Sequence, residues 1–128
     1  PGAAFFVIPC FGGTQRLSRL VGTGIAKELI YTARNVKAEE AKSIGLVNKV
    51  VPAESLLDEA KAMMQTILSK APLAVRYAKI AINEGIQMDL YRGLELEKDV
   101  CALTFGSDDS KEGMSAFLEK RPAVFQNK

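Results

Sequence analysis

The chain has 128 residues, a formal net charge of +2 and 48% hydrophobic residues, so it can bury a core and fits a single domain. Its 25% charged residues are ordinary for a folded protein, and a charge of +2 gives no reason to expect a nucleic-acid partner. The sequence contains no histidine, which excludes Ser-His-Asp and Cys-His triads and histidine-ligated zinc. Any general acid or base is therefore a carboxylate, Lys, Tyr or Cys.

The first third of the sequence predicts short helices. Apolar spacing predicts two helices over residues 16–20 and 25–33, and a Gly-Thr-Gly sequence separates them. A third helix is predicted over 38–44, and Gly45 ends it. Residues 46–51 alternate weakly and are the one good strand candidate. A single strand has no partner within this chain, so we expect its backbone to pair with a missing N-terminal part or with another subunit.

The remainder of the sequence predicts four helices. Residues 53–70 show the most regular apolar stripe, with acidic residues early and lysine late. Met63 and Met64 lie on that stripe, and core packing is a better interpretation of them than a ligand groove. The other three helices are predicted over 72–85, 89–104 and 107–121, the last capped by Ser107-Asp108-Asp109.

The two cysteines, Cys10 and Cys101, are far apart in sequence and form no metal or redox pair. We expect both to be small buried residues of a reducing compartment, the bacterial cytoplasm or, as an alternative, the mitochondrial matrix. No apolar run approaches the ~18 residues of a membrane span, so no membrane partner is expected. Because the sequence does not begin with Met, we expect it to be a piece of a longer protein.

The stretch Ile8 to Leu17 is the first candidate for chemistry. Its Gly12-Gly13 pair allows close backbone approach, and Thr14 is placed to cap the following helix, whose amides would favour an anion or a carbonyl oxygen. A phosphate-binding loop would need a Gly-Lys-Ser/Thr sequence, which this stretch lacks. A tight turn before a helix explains the same residues equally well.

The order of several motifs is more specific than any one of them. Pro1, Pro9 and the run 12–17 match the pattern Pro-Glu-x-x-x-Gly-x-x-Pro-Gly-x-Gly-Gly-Thr-Gln-Arg-Leu. Four more segments follow in the same order, at residues 20–22, 38–41, 45–51 and 112–121. By these motifs the chain resembles the C-terminal half of the crotonase (enoyl-CoA hydratase/isomerase) superfamily, most closely its bacterial short-chain hydratases.

The resemblance implies reversible addition of water to the 2,3 double bond of a short-chain trans-2-enoyl-CoA thioester. Two backbone N–H groups bind the thioester oxygen, and two glutamates handle the water and the proton at the α carbon. No metal and no cofactor is implied, since CoA is part of the acyl-CoA substrate. This chemistry needs no histidine, in agreement with the composition.

The departures from the family pattern concern catalysis. The oxyanion loop and the first glutamate belong to the family's N-terminal half, whose motifs do not occur in this sequence. Gly2 occupies the position of the second glutamate, so no catalytic residue is assigned here. Phe6 and Cys10 replace family glycines, although Cys10 keeps a backbone N–H that can contact the acyl group. We therefore expect the chain alone to be inactive.

Phe117 and Lys120 form the second candidate site, because residues three apart share one helix face. The resemblance implies that Phe117 contacts the adenine of CoA and Lys120 a phosphate. On the residues alone, Phe117 would be a core residue and Lys120 a solvated cation that favours the helix end. Glu95, Glu97 and Asp99 are spaced two apart and are expected to be solvated or salt-bridged helix surface.

The expected fold is mainly α with at most one or two short strands, as in the C-terminal part of the crotonase spiral fold. Residues 1–51 correspond to the end of the spiral core, and 52–128 to the helical region that covers the active site and builds trimers or hexamers. Arg16, Arg19 and Lys27 could form a basic strip, but without interleaved aromatic residues a nucleic-acid partner is not expected. Alternatives to the hydratase are an isomerase of the same family and a non-catalytic CoA-binding or assembly module.

Overall fold

The structure, a computed structural model, describes residues 7–128, and the prediction of a mainly α fold is confirmed over that range. No strand occurs among the described residues. A short 3₁₀ helix, Ala53–Ser55, precedes the fourth α-helix. The α-helices are α1 Gly13–Val21, α2 Thr23–Thr32, α3 Ala38–Ser43, α4 Leu56–Leu68, α5 Pro72–Gly85, α6 Leu90–Phe105 and α7 Asp108–Glu119.

The chain divides into two compact units between Leu56 and Leu57, at the start of α4. In the first unit, α1 packs against α2. Apolar side chains from α1, α2 and α3 are buried there: Val21, Ala26, Leu29 and Ala41. The predicted division at residues 51 and 52 into spiral core and helical region stays a prediction.

Helix α1 begins three residues earlier than the apolar spacing predicts. Gly12, at φ 81°, precedes the helix, and its carbonyl accepts the first helical bond from the N–H of Arg16 at 2.9 Å. Thr14 therefore lies inside the first turn, and the prediction that it caps the helix is wrong. The predicted break between α1 and α2 is confirmed, since Gly22 at φ 80° ends one helix and begins the next.

The predicted strand over residues 46–51 is wrong, because this segment is irregular. The backbone N–H groups of Leu46 and Val47 both donate to the carbonyl of Ala41, at 2.8 and 3.3 Å. These donors therefore close the end of α3 after Gly45, which has φ 77°, and do not enter a sheet. Weak alternation alone could not predict this competing local partner.

In the second unit, α5 and α6 pack as a helical hairpin, and α6 also contacts α7. The hairpin is closest at two glycines, where a Cβ atom on Gly93 would lie 3.4 Å from the carbonyl oxygen of Gly85. Asp89 precedes α6 and caps it, since its side chain accepts a hydrogen bond from the N–H of Arg92 at 3.1 Å. Helix α7, which α6 contacts, carries Phe117.

The predicted burial of several apolar residues is wrong within this chain. Met63 and Met64 of α4 are 50% and 53% exposed, and no residue of α4 is buried. Cys10 and Cys101 are exposed as well. An apolar stripe identifies the face that a helix covers with a neighbour, but it does not say that the neighbour belongs to the same chain.

No helix among residues 7–128 has the length and apolar character needed to cross a bilayer. This agrees with the sequence, in which charged residues interrupt every apolar run.

Ala33 ends α2 in the left-handed conformation, at φ 50° and ψ 23°. Glycine adopts this conformation without the steric cost of a Cβ atom, so Ala33→Gly is expected to raise the free energy of unfolding by about 1 kcal/mol. Ala62→Gly, inside α4, is the matched control and is expected to lower it by about 1 kcal/mol. Denaturant unfolding measures both values. A destabilised Ala33→Gly variant would contradict the claim that the left-handed conformation strains Ala33.

Candidate functional site

Helix α7 carries the two residues of the second predicted site, and its start is capped as the sequence predicts. Ser107 precedes the helix, and its hydroxyl accepts a hydrogen bond from the N–H of Ser110 at 3.0 Å. Asp108 and Asp109 follow in the first turn, where the helix dipole favours negative charge. The beginning of α7 is therefore well determined by local chemistry.

At the other end of α7, Phe117 is 82% exposed, so it is not a core residue of this chain. Lys120 is also exposed and directly follows the helix in the left-handed conformation, at φ 54° and ψ 37°. Its N–H bonds to the carbonyls of Ala116 and Phe117, the latter at 3.3 Å. One tight turn thus joins an exposed aromatic ring to an exposed cation, a combination that suits an adenine nucleotide.

Arg121, the residue after this turn, is fixed by two carboxylates of α7. Its guanidinium donates two hydrogen bonds to the Glu112 carboxylate, at 2.6 and 2.9 Å, and its Nε donates to Glu119. The Glu112 carboxylate also accepts the N–H of Val124 at 2.8 Å. We call Glu112, Glu119 and Arg121 the clamp. Forked bonds of this kind fix direction as well as distance.

The C-terminal residues are fastened to the start of α7 by Asp109, which is only 2% exposed. Its two carboxylate oxygens accept the N–H groups of Gln126 and Asn127, at 2.6 and 2.8 Å. Its own N–H donates to the carbonyl of Lys128 at 3.1 Å. The segment after Arg121 therefore runs back along α7, and the sequence pattern gave no signal for this.

The clamp lowers the pKa of Glu112 to about 2, chiefly through the hydrogen bond from Arg121 and secondarily through the N–H of Val124. The same bonds raise the pKa of Arg121 above its ordinary value, with Glu112 as the larger cause and Glu119 as the smaller. Both groups therefore stay charged throughout the neutral range.

Stability is expected to depend on this carboxylate in acid. The pKa of Glu112 is about 2 in the folded chain against an ordinary 4.5, so the unfolded chain takes up the proton first as the pH falls. The stabilisation is complete above about pH 5 and is lost as the pH falls toward about 2. Denaturant unfolding from pH 7 to pH 2 measures the free energy of unfolding of wild type and of Glu112→Gln. The difference between the two values is expected to narrow as the pH falls across this window. A difference in the free energy of unfolding that stays constant with pH would contradict the prediction.

The first predicted site lies in the other unit, on the loop before α1. The thiol of Cys10 is exposed and lies 3.2 Å from the carbonyl oxygen of Ile8. The carbonyl of Cys10 accepts the N–H of Gly13 at 3.1 Å, and the guanidinium of Arg16 donates to the carbonyl of Phe11. These bonds shape a tight turn, in agreement with the local interpretation of this stretch. The acyl contact of Cys10 stays a prediction, and Gly2 and Phe6 lie outside the described residues.

The acidic residues of α6 behave as surface residues. Lys98 pairs with Glu95 at 2.5 Å, while Glu97 and Asp99 are exposed. Within residues 7–128, no group of three acidic or cysteine side chains is placed to hold a metal ion.

Sequence reasoning missed an apolar groove of about 440 Å³ in the second unit. Cys101 of α6 lies in it, in contrast to the predicted burial of this thiol. The groove is lined by Ala74, Tyr77, Ala78, Ala81, Ile82, Glu97, Val100, Cys101, Thr104, Phe105 and Ser110. The apolar part of this lining comes from residues of α5 and α6 that recur at the three-to-four-residue spacing of a helix face.

The sequence pattern of the enoyl-CoA hydratase/isomerase family matches residues 1–128. The chain belongs to this family. Its relatives include the crotonyl-CoA hydratase of Syntrophomonas wolfei, 55% identical over all of this chain and 49% of the relative. The short-chain-enoyl-CoA hydratase of Clostridium acetobutylicum is 50% identical over 94% of this chain and 46% of the relative. The family resemblance inferred from the motifs is therefore confirmed.

Solved structures of the family agree with the fold. The crystal structure of an enoyl-CoA hydratase from Bacillus anthracis superposes with a TM-score of 0.93 and 48% identity, over 96% of this chain and 48% of that one. The chain thus spans about half the length of the family members it matches. This is consistent with the helical C-terminal part of the crotonase fold.

Proposed function

We propose that this chain is the CoA-docking half of an enoyl-CoA hydratase that hydrates short-chain trans-2-enoyl-CoA reversibly to 3-hydroxyacyl-CoA. The observation that carries the proposal is the turn that ends α7, where Phe117 and Lys120 are both exposed. The names of the relatives, crotonyl-CoA hydratase and short-chain-enoyl-CoA hydratase, support the reaction and the substrate class.

In this proposal the chain binds and orients the substrate. The ring of Phe117 lies against the adenine, and the ammonium group of Lys120 neutralises a phosphate of CoA. The backbone N–H of Cys10 contacts the acyl region. The water and the α proton are handled by carboxylates outside this chain, since Gly2 occupies the family glutamate position and no Asp or Glu precedes Glu28. CoA belongs to the substrate, and we propose no separate cofactor.

Two related functions use the same binding turn. The isomerase branch of the family moves a double bond within the same class of CoA thioester. A non-catalytic CoA-binding or assembly module is favoured by one observation, the glycine at position 2 in place of a carboxylate.

We also propose that the chain assembles with copies of itself, as a trimer or hexamer, in the cytoplasm. The exposed apolar face of α4 supports assembly, since Leu57 and Leu68 are 71% and 72% exposed. An apolar face of this kind is usually covered by a partner.

The proposed function is tested by the charge at position 120. Lys120→Glu is expected to weaken CoA binding by this chain about tenfold or more, because an attractive charge-assisted contact becomes repulsive. Lys61→Glu is the matched control, since Lys61 is exposed on α4 and the change in net charge is identical. Isothermal titration calorimetry measures the dissociation constants. Equal weakening by both variants, or none by Lys120→Glu, would contradict the assignment.

A further inference from the structure

Lys120 has an unusual backbone conformation for a residue with a side chain. At φ 54° and ψ 37° it lies in the left-handed region, which is unfavourable for every residue with a Cβ atom. Helices that end in this conformation usually place glycine there. The turn is nevertheless regular, since the N–H of Arg121 bonds to the carbonyl of Ala116 at 3.0 Å. This sequence therefore keeps a lysine where glycine would relieve strain.

The clamp holds the residues on both sides of this turn. Glu119 lies immediately before Lys120 and Arg121 immediately after it, and the Nε of Arg121 donates to the Glu119 carboxylate. Two further bonds of the guanidinium reach back to Glu112, in the middle of α7, and another goes to the carbonyl of Pro122 at 3.3 Å. Because Glu112 also accepts the N–H of Val124, the chain beyond the turn is fixed to the same carboxylate.

We propose that Glu112 and Arg121 are positioning residues, which hold the left-handed turn so that Lys120 presents its cation to the CoA nucleotide beside Phe117. The inference rests on the proposed function, because the strain at Lys120 has a purpose only if that cation binds a ligand. Strained backbone persists where the surroundings over-determine it, as the clamp does here. Binding is therefore gained at the expense of stability at one residue.

Two variants of this chain test the proposal, with CoA binding measured by calorimetry and stability by denaturant unfolding. Lys120→Gly is expected to raise the folded-to-unfolded ratio about fivefold and to weaken CoA binding about tenfold. Glu112→Gln is expected to lower that ratio and to weaken CoA binding severalfold. If Glu112 acts through Lys120, the double variant binds CoA no more weakly than Lys120→Gly alone.

The controls separate positioning from general stability. Ala33→Gly removes the backbone strain of a left-handed residue in the other unit. It is expected to raise the free energy of unfolding without changing the CoA dissociation constant. If Glu112→Gln does not fold, Glu119→Ala removes the acceptor of the Arg121 Nε and is expected to weaken CoA binding in its place.

Three results would overturn the inference. These are a Lys120→Gly variant that is no more stable than wild type, clamp variants that bind CoA like wild type, or binding losses that add in the double variant. If Lys120→Glu weakens CoA binding while the clamp variants do not, the inference fails and the proposed function stands. If wild type does not bind CoA at all, both fail.

Discussion

Hydration of crotonyl-CoA by this chain alone is expected to be at least about 10⁴-fold slower than by an intact hydratase of the family. A positioned general acid or base contributes about 10²–10⁴ in rate, and an oxyanion-hole donor about 10²–10³. Family resemblance places the oxyanion loop and the first glutamate in the half that this sequence does not match, and it implies that Gly2 stands at the position of the second glutamate. A chain that binds CoA without these groups has little left with which to accelerate the reaction.

The loss of crotonyl-CoA absorbance, followed with purified chain, measures this rate. The crotonyl-CoA hydratase of S. wolfei, assayed at the same molar concentration, is the reference, since it is 55% identical over this whole chain. Turnover within tenfold of that reference would show that the chain contains its own proton-handling groups. It would also refute the assignment of catalysis to residues outside the chain.

Restoring a carboxylate at position 2 is expected to change the rate of crotonyl-CoA hydration by a similarly large factor. The test protein is a hybrid in which this chain replaces the matching 128 residues of the S. wolfei hydratase, so that the relative supplies the rest of the site. Gly2→Glu in the hybrid is expected to raise the hydration rate by about 10²–10⁴, because it returns a group that can give and take a proton. The effect should fall mainly on kcat, with KM for crotonyl-CoA little changed.

Gly2→Gln is the matched control, because it adds a side chain of nearly the same size that cannot transfer a proton. Equal rates for the Glu and Gln variants would mean that position 2 is not the catalytic position and that the alignment of the first residues is accidental. A hybrid that is already fully active with Gly2 would contradict the proposal in the same way and would point to another residue as the base.

The helices could be predicted from the sequence because their signals are local. Apolar spacing located α4, and proline and glycine bounded α5 at Pro72 and Gly85. The cap Ser107 was equally readable, since it places a side-chain oxygen before a helix. Such features depend on a few neighbouring residues and need no knowledge of the rest of the fold.

The errors of prediction arise where a residue's partner is not local. The segment 46–51 looks like a strand, but α3 satisfies its first backbone donors through the carbonyl of Ala41. Met63 looks like a core residue, yet it is half exposed. The prediction failed because the pattern shows that the stripe is apolar but not which partner covers it.

The candidate site was only partly predictable for the same reason. Spacing placed Phe117 and Lys120 on one helix face, and family resemblance gave them a ligand. Only Phe117 lies in α7, because the helix ends at Glu119 and Lys120 follows it in the left-handed conformation. The clamp depends on Glu112 and Arg121, which are nine residues apart and meet only because Lys120 reverses the chain. The fastening of the C-terminal residues by Asp109 spans a longer separation still. Neither contact corresponds to a regular spacing of residue types that could be recognised in the sequence.

The central claim, that the end of α7 receives the nucleotide of CoA, is tested most directly by a titration followed by NMR. CoA is added to ¹⁵N-labelled chain, and the backbone amide shifts of every assigned residue are recorded. The largest shifts are expected at residues 117–121, and Lys120→Glu is expected to require about tenfold more CoA, or more, to produce them. Shifts that centre on the α5–α6 groove, or an unchanged spectrum at saturating CoA, would contradict the claim.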